Sequence, residues 1–190
     1  MRLLRSPSIL FTVLTALCLA CSAPLDASIV MKIDTVNDTF YFEGTDSGTP
    51  IDFGFGSYDL QFKVNLSTHP SESQNITPTP HQLFSPALSG GNMNMIRNTS
   101  GGSYIFIDLY SNTNFSTLTG LGSTATASYA GLSATNQAIF ESLVGQSMGL
   151  TIGSGFSPIA IQAVPEPATL ALFAGLATVA ACSLRRRRAA

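Results

Sequence analysis

The C-terminal segment constrains this chain more than any other feature of its sequence. An uncharged apolar run of 17 residues extends from Ala168 to Leu184, and four arginines follow it: Arg185, Arg186, Arg187 and Arg188. As an α-helix at about 1.5 Å per residue, the run is roughly 26 Å long, close to the hydrocarbon thickness of a bilayer, about 30 Å. Arginines beside a span favour the cytoplasmic side. The sequence therefore predicts a transmembrane helix over residues 168–184, with the preceding chain on the outer side.

A short proline-containing strip comes just before this run. It consists of Val164, Pro165, Glu166 and Pro167. The two prolines lack backbone donors and hold their neighbours extended, so the strip is predicted to be stiff and exposed. In order and spacing, the strip, the apolar run and the arginines resemble the PEP-CTERM sorting tail of Gram-negative bacteria.

The resemblance covers about residues 164–190 and has specific implications. It implies that the four residues of the strip are the sorting signal and that Arg185 to Arg188 determine the topology. It also implies a partner, an exosortase, which is a membrane enzyme that cleaves near the strip. The alternative reading of the same residues is an ordinary C-terminal membrane anchor.

The N-terminal segment has the features of a secretory signal peptide. Arg2 and Arg5 precede an apolar stretch from Ile9 to Ala20, and small residues follow it. This pattern predicts a signal peptide over residues 1–27, and hence the Sec translocon and a signal peptidase as partners. Cleavage after Ala20 or after Ala23 fits the pattern. A lipoprotein signal that acylates Cys21 is the alternative, although leucine is missing three residues before this cysteine.

Between the two targeting segments lie residues 28–163, enough for one domain with a modest core. This body contains three basic and nine acidic residues, a formal net charge of −6. Such a charge argues against nucleic acid or other polyanions as partners. The three cysteines, Cys18, Cys21 and Cys182, all lie outside the body, which therefore has neither a disulfide nor a thiolate metal site. We predict no cofactor.

Alternating apolar residues dominate the body and predict a mainly β fold. The clearest strand is Tyr58 to Leu66; further strands are predicted at Ile29 to Ile33, Thr39 to Glu43, Tyr104 to Tyr110, Leu150 to Ile152 and Ile159 to Val164. One late helix is predicted from Ala134 to Val144, with Ser133 as its cap and Gly145 as its end. These elements favour a β-sandwich-like exported domain, flanked by the signal peptide and the C-terminal transmembrane helix.

Glycine-rich and asparagine-rich stretches predict the connections between these elements. Turns are predicted at Asp46 to Gly48, Ser89 to Asn92, Asn98 to Gly102 and Gly120 to Ser123. The proline-rich stretch from His69 to Gly102 is predicted to be a long loop, with a short apolar element near Leu83.

No catalytic constellation is evident in the body. The only histidines, His69 and His81, are 12 residues apart and match no compact metal spacing. Asp46-Ser47-Gly48-Thr49 is similar to the short aspartic protease motif, but the chain has no second copy to share a proton. Calcium is the alternative for the acids near the N-terminal end of the body, Asp34, Asp38, Glu43 and Asp46. A carbohydrate could stack on Tyr41, Phe53 and Tyr58.

These observations favour an exported, non-catalytic protein of the cell surface or extracellular matrix that is sorted by a PEP-CTERM/exosortase-type system. Its expected route is export through the inner membrane, transient anchoring by the C-terminal helix, and then a cell-surface or extracellular location. The alternative is a carbohydrate- or ice-binding β-sandwich module, with an extracellular polysaccharide as its partner in the first case. An enzyme is the third hypothesis.

Overall fold

The computed structural model describes residues 28–54, 59–77, 79–86 and 88–165. The signal peptide predicted over residues 1–27 and the span predicted over residues 168–184 lie outside these ranges. Within them, no helix is long and apolar enough to cross a membrane. The division into signal peptide, exported domain and sorting tail therefore stays a prediction.

The described chain is mainly β with one α-helix, as the sequence predicts. Its strands are β1 (Val30–Asp34), β2 (Thr39–Glu43), β3 (Thr45–Ile51), β4 (Leu60–Asn65), β5 (Gln74–Asn75), β6 (Phe84–Ser85), β7 (Gly90–Ile96), β8 (Tyr104–Tyr110), β9 (Phe115–Gly120), β10 (Ala127–Ser128), β11 (Ser147–Ile152) and β12 (Ile159–Ala163). The helices are a short 3-10 helix (Pro80–Leu83) and α1 (Ala134–Glu141).

The strands form two sheets of unequal size. The larger has nine strands in the order β10-β2-β1-β12-β11-β4-β8-β7-β5, and the smaller has three in the order β3-β9-β6. In the large sheet β1 and β12 run parallel, and the other paired strands are antiparallel. The last strand of the described residues, β12, thus lies inside the sheet, between β1 and β11.

One face of the large sheet forms the core. The alternation predicted for β4 is confirmed, because Leu60, Phe62 and Val64 are all buried. The small sheet packs on this face through Phe84, whose ring centroid is 4.5 Å from that of Phe42. Helix α1 packs on it as well, with the Phe140 ring 5.4 Å from the ring of Phe40. Both layers therefore lie on the buried side of the nine-stranded sheet.

Helix α1 is held by its cap and by one buried amide. The cap is as predicted: the Ser133 hydroxyl accepts a hydrogen bond from the Asn136 amide at 3.4 Å. The Asn136 side chain is fully buried; its amide nitrogen donates to Gln74 Oε1 at 2.6 Å, and its oxygen accepts from the Ser71 amide at 2.9 Å. The helix is shorter than predicted and ends at Glu141, after which residues 142–145 form turns up to Gly145, whose φ is +90°.

Three sequence predictions of the connections are wrong. Asp46 to Gly48 lies inside β3, and Ser89 to Asn92 falls largely within β7. The predicted loop from His69 to Gly102 contains β5, the 3-10 helix, β6 and β7. The reason is tertiary: β7 pairs with β8 along its whole length, and this pairing outweighs the low strand propensity of glycine and asparagine. The turns at Asn98 to Gly102 and after Gly120 are confirmed.

Candidate functional site

The sorting strip begins where the folded body ends. The last strand, β12, runs to Ala163, and the Val164 amide still donates to the Ile33 carbonyl at 2.8 Å. The next residue, Pro165, is exposed and lacks a backbone donor. The sheet therefore fixes the start of the strip, whereas Glu166, Pro167 and Arg185 to Arg188 lie outside the described residues.

A capped turn lies beside this exit point. Because β1 runs parallel to β12, the C-terminal end of β1 and the turn to β2 share one edge with Val164. The Asp34 carboxylate accepts from the side-chain amide of Asn37 at 2.7 Å and from the backbone amide of Val36 at 3.0 Å. The Asn37 hydrogen bond is the main reason that the pKa of Asp34 is lowered from its ordinary value. Val36 itself is 65% exposed at the tip of the turn.

The two histidines have different neighbours. His69 Nδ1 lies 2.7 Å from the Ser103 hydroxyl, at the start of β8. His81 lies on the 3-10 helix, where its Cβ is close to Gly91 of β7. Among the described residues, no group of three or more His, Cys, Asp or Glu is placed to hold a metal ion.

Three of the four acids proposed as calcium ligands make other contacts in the structure. Asp34 caps its own turn, and Glu43 pairs with Lys32 at 3.1 Å. Asp46, which is 5% exposed, accepts from the Ser157 backbone amide at 2.7 Å. This aspartate thus ties β3 to the segment before β12. The sequence around it, which is similar to an aspartic protease motif, is strand.

The predicted carbohydrate platform does not form as proposed. Phe53 is only 4% exposed and stacks in the core on Phe115, with ring centroids 4.7 Å apart. Tyr41 is partly exposed on the outward face of β2, and Tyr58 lies outside the described residues. The platform is wrong for Phe53 because the aromatic ring gains more from packing in the core than from exposure.

A different set of aromatic residues is partly exposed on the outward face of the large sheet. Tyr104, Phe106 and Tyr110 alternate along β8 with the buried residues Ile105, Ile107 and Leu109. We call Tyr104, Phe106 and Tyr110 the aromatic row. The sequence predicts the strand from Tyr104 to Tyr110, but the prediction does not assign these rings to one outward face. The signal was present, since all three rings share one parity and the aliphatic side chains share the other.

Neighbouring strands hold the aromatic row in place. The Tyr104 and Phe106 ring centroids are 5.8 Å apart, and Lys63 Nζ on β4 lies 4.1 Å from the centre of the Tyr104 ring. The ring of Tyr110 lies across Gly90 on β7, where an added Cβ would overlap it. A side chain at residue 90 would displace the ring, so Gly90 leaves the space that this position of the ring needs.

Polar groups accompany the row on both sides. Asp108, between Phe106 and Tyr110, is 6% exposed, and burial raises its pKa. Gln61 on β4 donates to its carboxylate at 2.5 Å and accepts from the Thr151 hydroxyl on β11 at 2.7 Å. The chain of bonds fixes the orientation of the Gln61 amide across three strands. On the other side, register places Asn94 next to Phe106 and Asn92 next to Asp108.

The described part of the chain contains a small cavity. A cavity of about 60 Å³ is lined by Asn75, Ile76, Thr77, Ser128, Tyr129, Gly131 and Leu132. Small-molecule pockets typically measure about 300–1,000 Å³, so this cavity holds at most a few waters. The candidate sites are therefore the exit point of the tail and the open surface of the aromatic row.

Comparison with known families bears on the C-terminal segment. Residues 163–188 match the family model of the PEP-CTERM protein-sorting motif. This chain carries a PEP-CTERM sorting tail. The match begins at Ala163, the last residue of β12, so it spans the junction that the structure describes. The motif indicates an exported protein that is sorted by an exosortase. No family model assigns the body, and no curated protein or solved structure matches the chain.

Proposed function

We propose that this protein is a non-catalytic component of the cell surface or extracellular matrix, delivered there by exosortase processing of its PEP-CTERM tail. In this proposal Val164, Pro165, Glu166 and Pro167 are recognised, residues 168–184 hold the substrate in the membrane, and Arg185 to Arg188 fix its orientation. The signal peptide delivers the chain through the Sec translocon, and a signal peptidase removes it.

The observation that carries the proposal is the position of the exit point. The backbone is bonded to the sheet up to Val164, and the predicted span begins at Ala168. Four Cα-to-Cα steps reach at most about 14 Å. In this proposal the processing enzyme recognises the strip close to the point where the sheet ends, within about 14 Å of the start of the predicted span.

The roles of the acids support a non-catalytic body. Asp34 caps a turn, Asp46 accepts from a backbone amide, and Glu43 pairs with Lys32. Each of these contacts serves the fold. The 60 Å³ cavity also has no room for a substrate.

The decisive experiment replaces Pro165, Glu166 and Pro167 with alanine in the host. Export should stay intact, and a longer, membrane-bound form should accumulate. Replacement of the exposed turn residues Thr99 and Ser100 with alanine is the matched control and should leave processing unchanged. The same C-terminal residue in the mature wild type and in the mature strip variant would refute recognition of the strip.

The second candidate is a carbohydrate- or ice-binding module, and the aromatic row favours carbohydrate over ice. Carbohydrate binding is compatible with the first candidate function, because a matrix component has to attach to the matrix after it is released from the membrane. An enzyme ranks third.

A further inference from the structure

We propose that the aromatic row on β8, with the amides that border it, binds a chain of a neutral polysaccharide. The proposal deepens the second candidate function and does not depend on the tail. Its failure would leave the processing experiment unaffected.

The first step concerns the shape of the surface. β8 pairs with β4 over six residues and with β7 over seven, so both flanks of the row are held by regular ladders. Tyr104, Phe106 and Tyr110 therefore share one face of a continuous sheet, and Tyr110 lies across Gly90. An extended ligand would meet a surface that needs little reorganisation on binding, which favours affinity.

The second step concerns chemistry. A sugar ring presents an apolar face of C–H groups and a rim of hydroxyls. The aromatic row supplies ring faces that can pack against the C–H face of the sugar, as aromatic side chains do when a ligand is apolar on one side and hydrated on the other. Amide side chains line both sides of the row and can hydrogen-bond the sugar hydroxyls: Gln61 and Asn65 on β4, and Asn92 and Asn94 on β7. Gln61 is already oriented by Asp108 and Thr151.

The third step concerns charge. The surface carries one ammonium, Lys63, and one carboxylate, Asp108, so it is close to electrically neutral. The body around it has a formal net charge of −6, which repels acidic polysaccharides. A neutral glycan carries no charge, so the negative net charge of the body does not repel it, and it needs no cluster of cationic side chains for binding.

Two other occupants fit less well. Among the described residues, a protein partner would meet few aliphatic side chains here, Ile96 on β7 and Ile152 beside Gln61, and both are set among polar groups that resist desolvation. Ice would require a regular array of small hydroxyl or methyl groups, whereas the outward positions of β4, β7 and β8 combine aromatic and amide side chains with Lys63, Asp108 and Ile96.

The test measures depletion of the full-length chain by microcrystalline cellulose, chitin and insoluble mannan, with alginate beads as the polyanion. The protein is kept in a phosphocholine detergent, because a glycoside detergent would compete. We expect saturable binding to at least one neutral polysaccharide and a weaker response to alginate. Phe106→Ala should weaken binding about tenfold, the order expected for one lost stacking contact.

The control is Val36→Ala, which truncates an apolar side chain that is 65% exposed in the turn between β1 and β2. It should leave binding unchanged. Circular dichroism checks the fold of each variant, and Tyr104→Ala replaces Phe106→Ala if the latter fails to fold. Absence of binding to all three neutral polysaccharides, equal weakening by both variants, binding to alginate alone, or inhibition of ice recrystallisation without polysaccharide binding would each overturn the proposal.

Discussion

Truncation of Phe62 to alanine tests the assignment of the core face. Phe62 is 1% exposed at the centre of β4, and register places it beside Ile107 on β8 and Leu150 on β11. Core Phe→Ala substitutions cost about 3–5 kcal/mol, since the lost transfer energy adds to the cost of the cavity. Phe62→Asp adds an unpaired buried charge and should cost more.

The expected loss of unfolding free energy in Phe62→Ala can be converted into a drop in melting temperature. The body of 136 residues has an unfolding entropy of about 0.29 kcal/mol/K, at about 2.1 cal/mol/K per residue. The expected drop for Phe62→Ala is therefore about 10–17 °C. Far-UV circular dichroism should follow the transition, because the chain has no tryptophan for fluorescence.

The control is Asn65→Ala, an exposed outward position at the end of the same strand. Its free energy of unfolding should change by less than about 0.5 kcal/mol, as for most surface substitutions. A Phe62→Ala variant that melts within 2 °C of the wild type, on the order of 0.5 kcal/mol, would show that this face is not the core.

Two further substitutions test buried polar groups. Asn136→Asp keeps the shape of the side chain but replaces the amide donor with an acceptor that faces Gln74 Oε1 and the Glu72 carbonyl. The urea midpoint at pH 7 should therefore fall by the equivalent of about 2–3 kcal/mol. An unchanged midpoint would contradict this expectation. Burial raises the pKa of Asp108, so the folded state holds the proton more tightly and stability from this group rises as the pH falls through that pKa. Asp108→Asn should therefore raise the melting temperature at pH 7, and its advantage over the wild type should shrink on acidification; a pH-independent difference would refute the assignment.

The sequence predicts those strands whose two faces differ in polarity. In β4, Leu60, Phe62 and Val64 alternate with polar residues, and the structure buries all three. β7 begins with Gly90 and Gly91, which locally favour a turn. It becomes a strand because β8 offers a complete hydrogen-bonding edge along its length, a partner that lies outside any local sequence window.

The two candidate sites also differ in how far the sequence predicts them. The sorting strip can be recognised from the sequence because its residues are contiguous. The aromatic row depends on which face of β8 turns outward, and that is set by the layers that pack on the other side. Phe53 is predicted from the sequence to be an exposed stacking residue, but the fold packs it against Phe115 in the core, a contact that the local sequence does not reveal.

The mass of the mature protein tests the central claim most directly. Top-down mass spectrometry of the protein released from the host surface, combined with C-terminal peptide sequencing, reports where the chain ends. We expect a C-terminus near Pro165 to Pro167, without the apolar run and the four arginines. A mature protein whose C-terminal peptide ends at Ala190 would contradict exosortase processing and leave the tail as a plain membrane anchor.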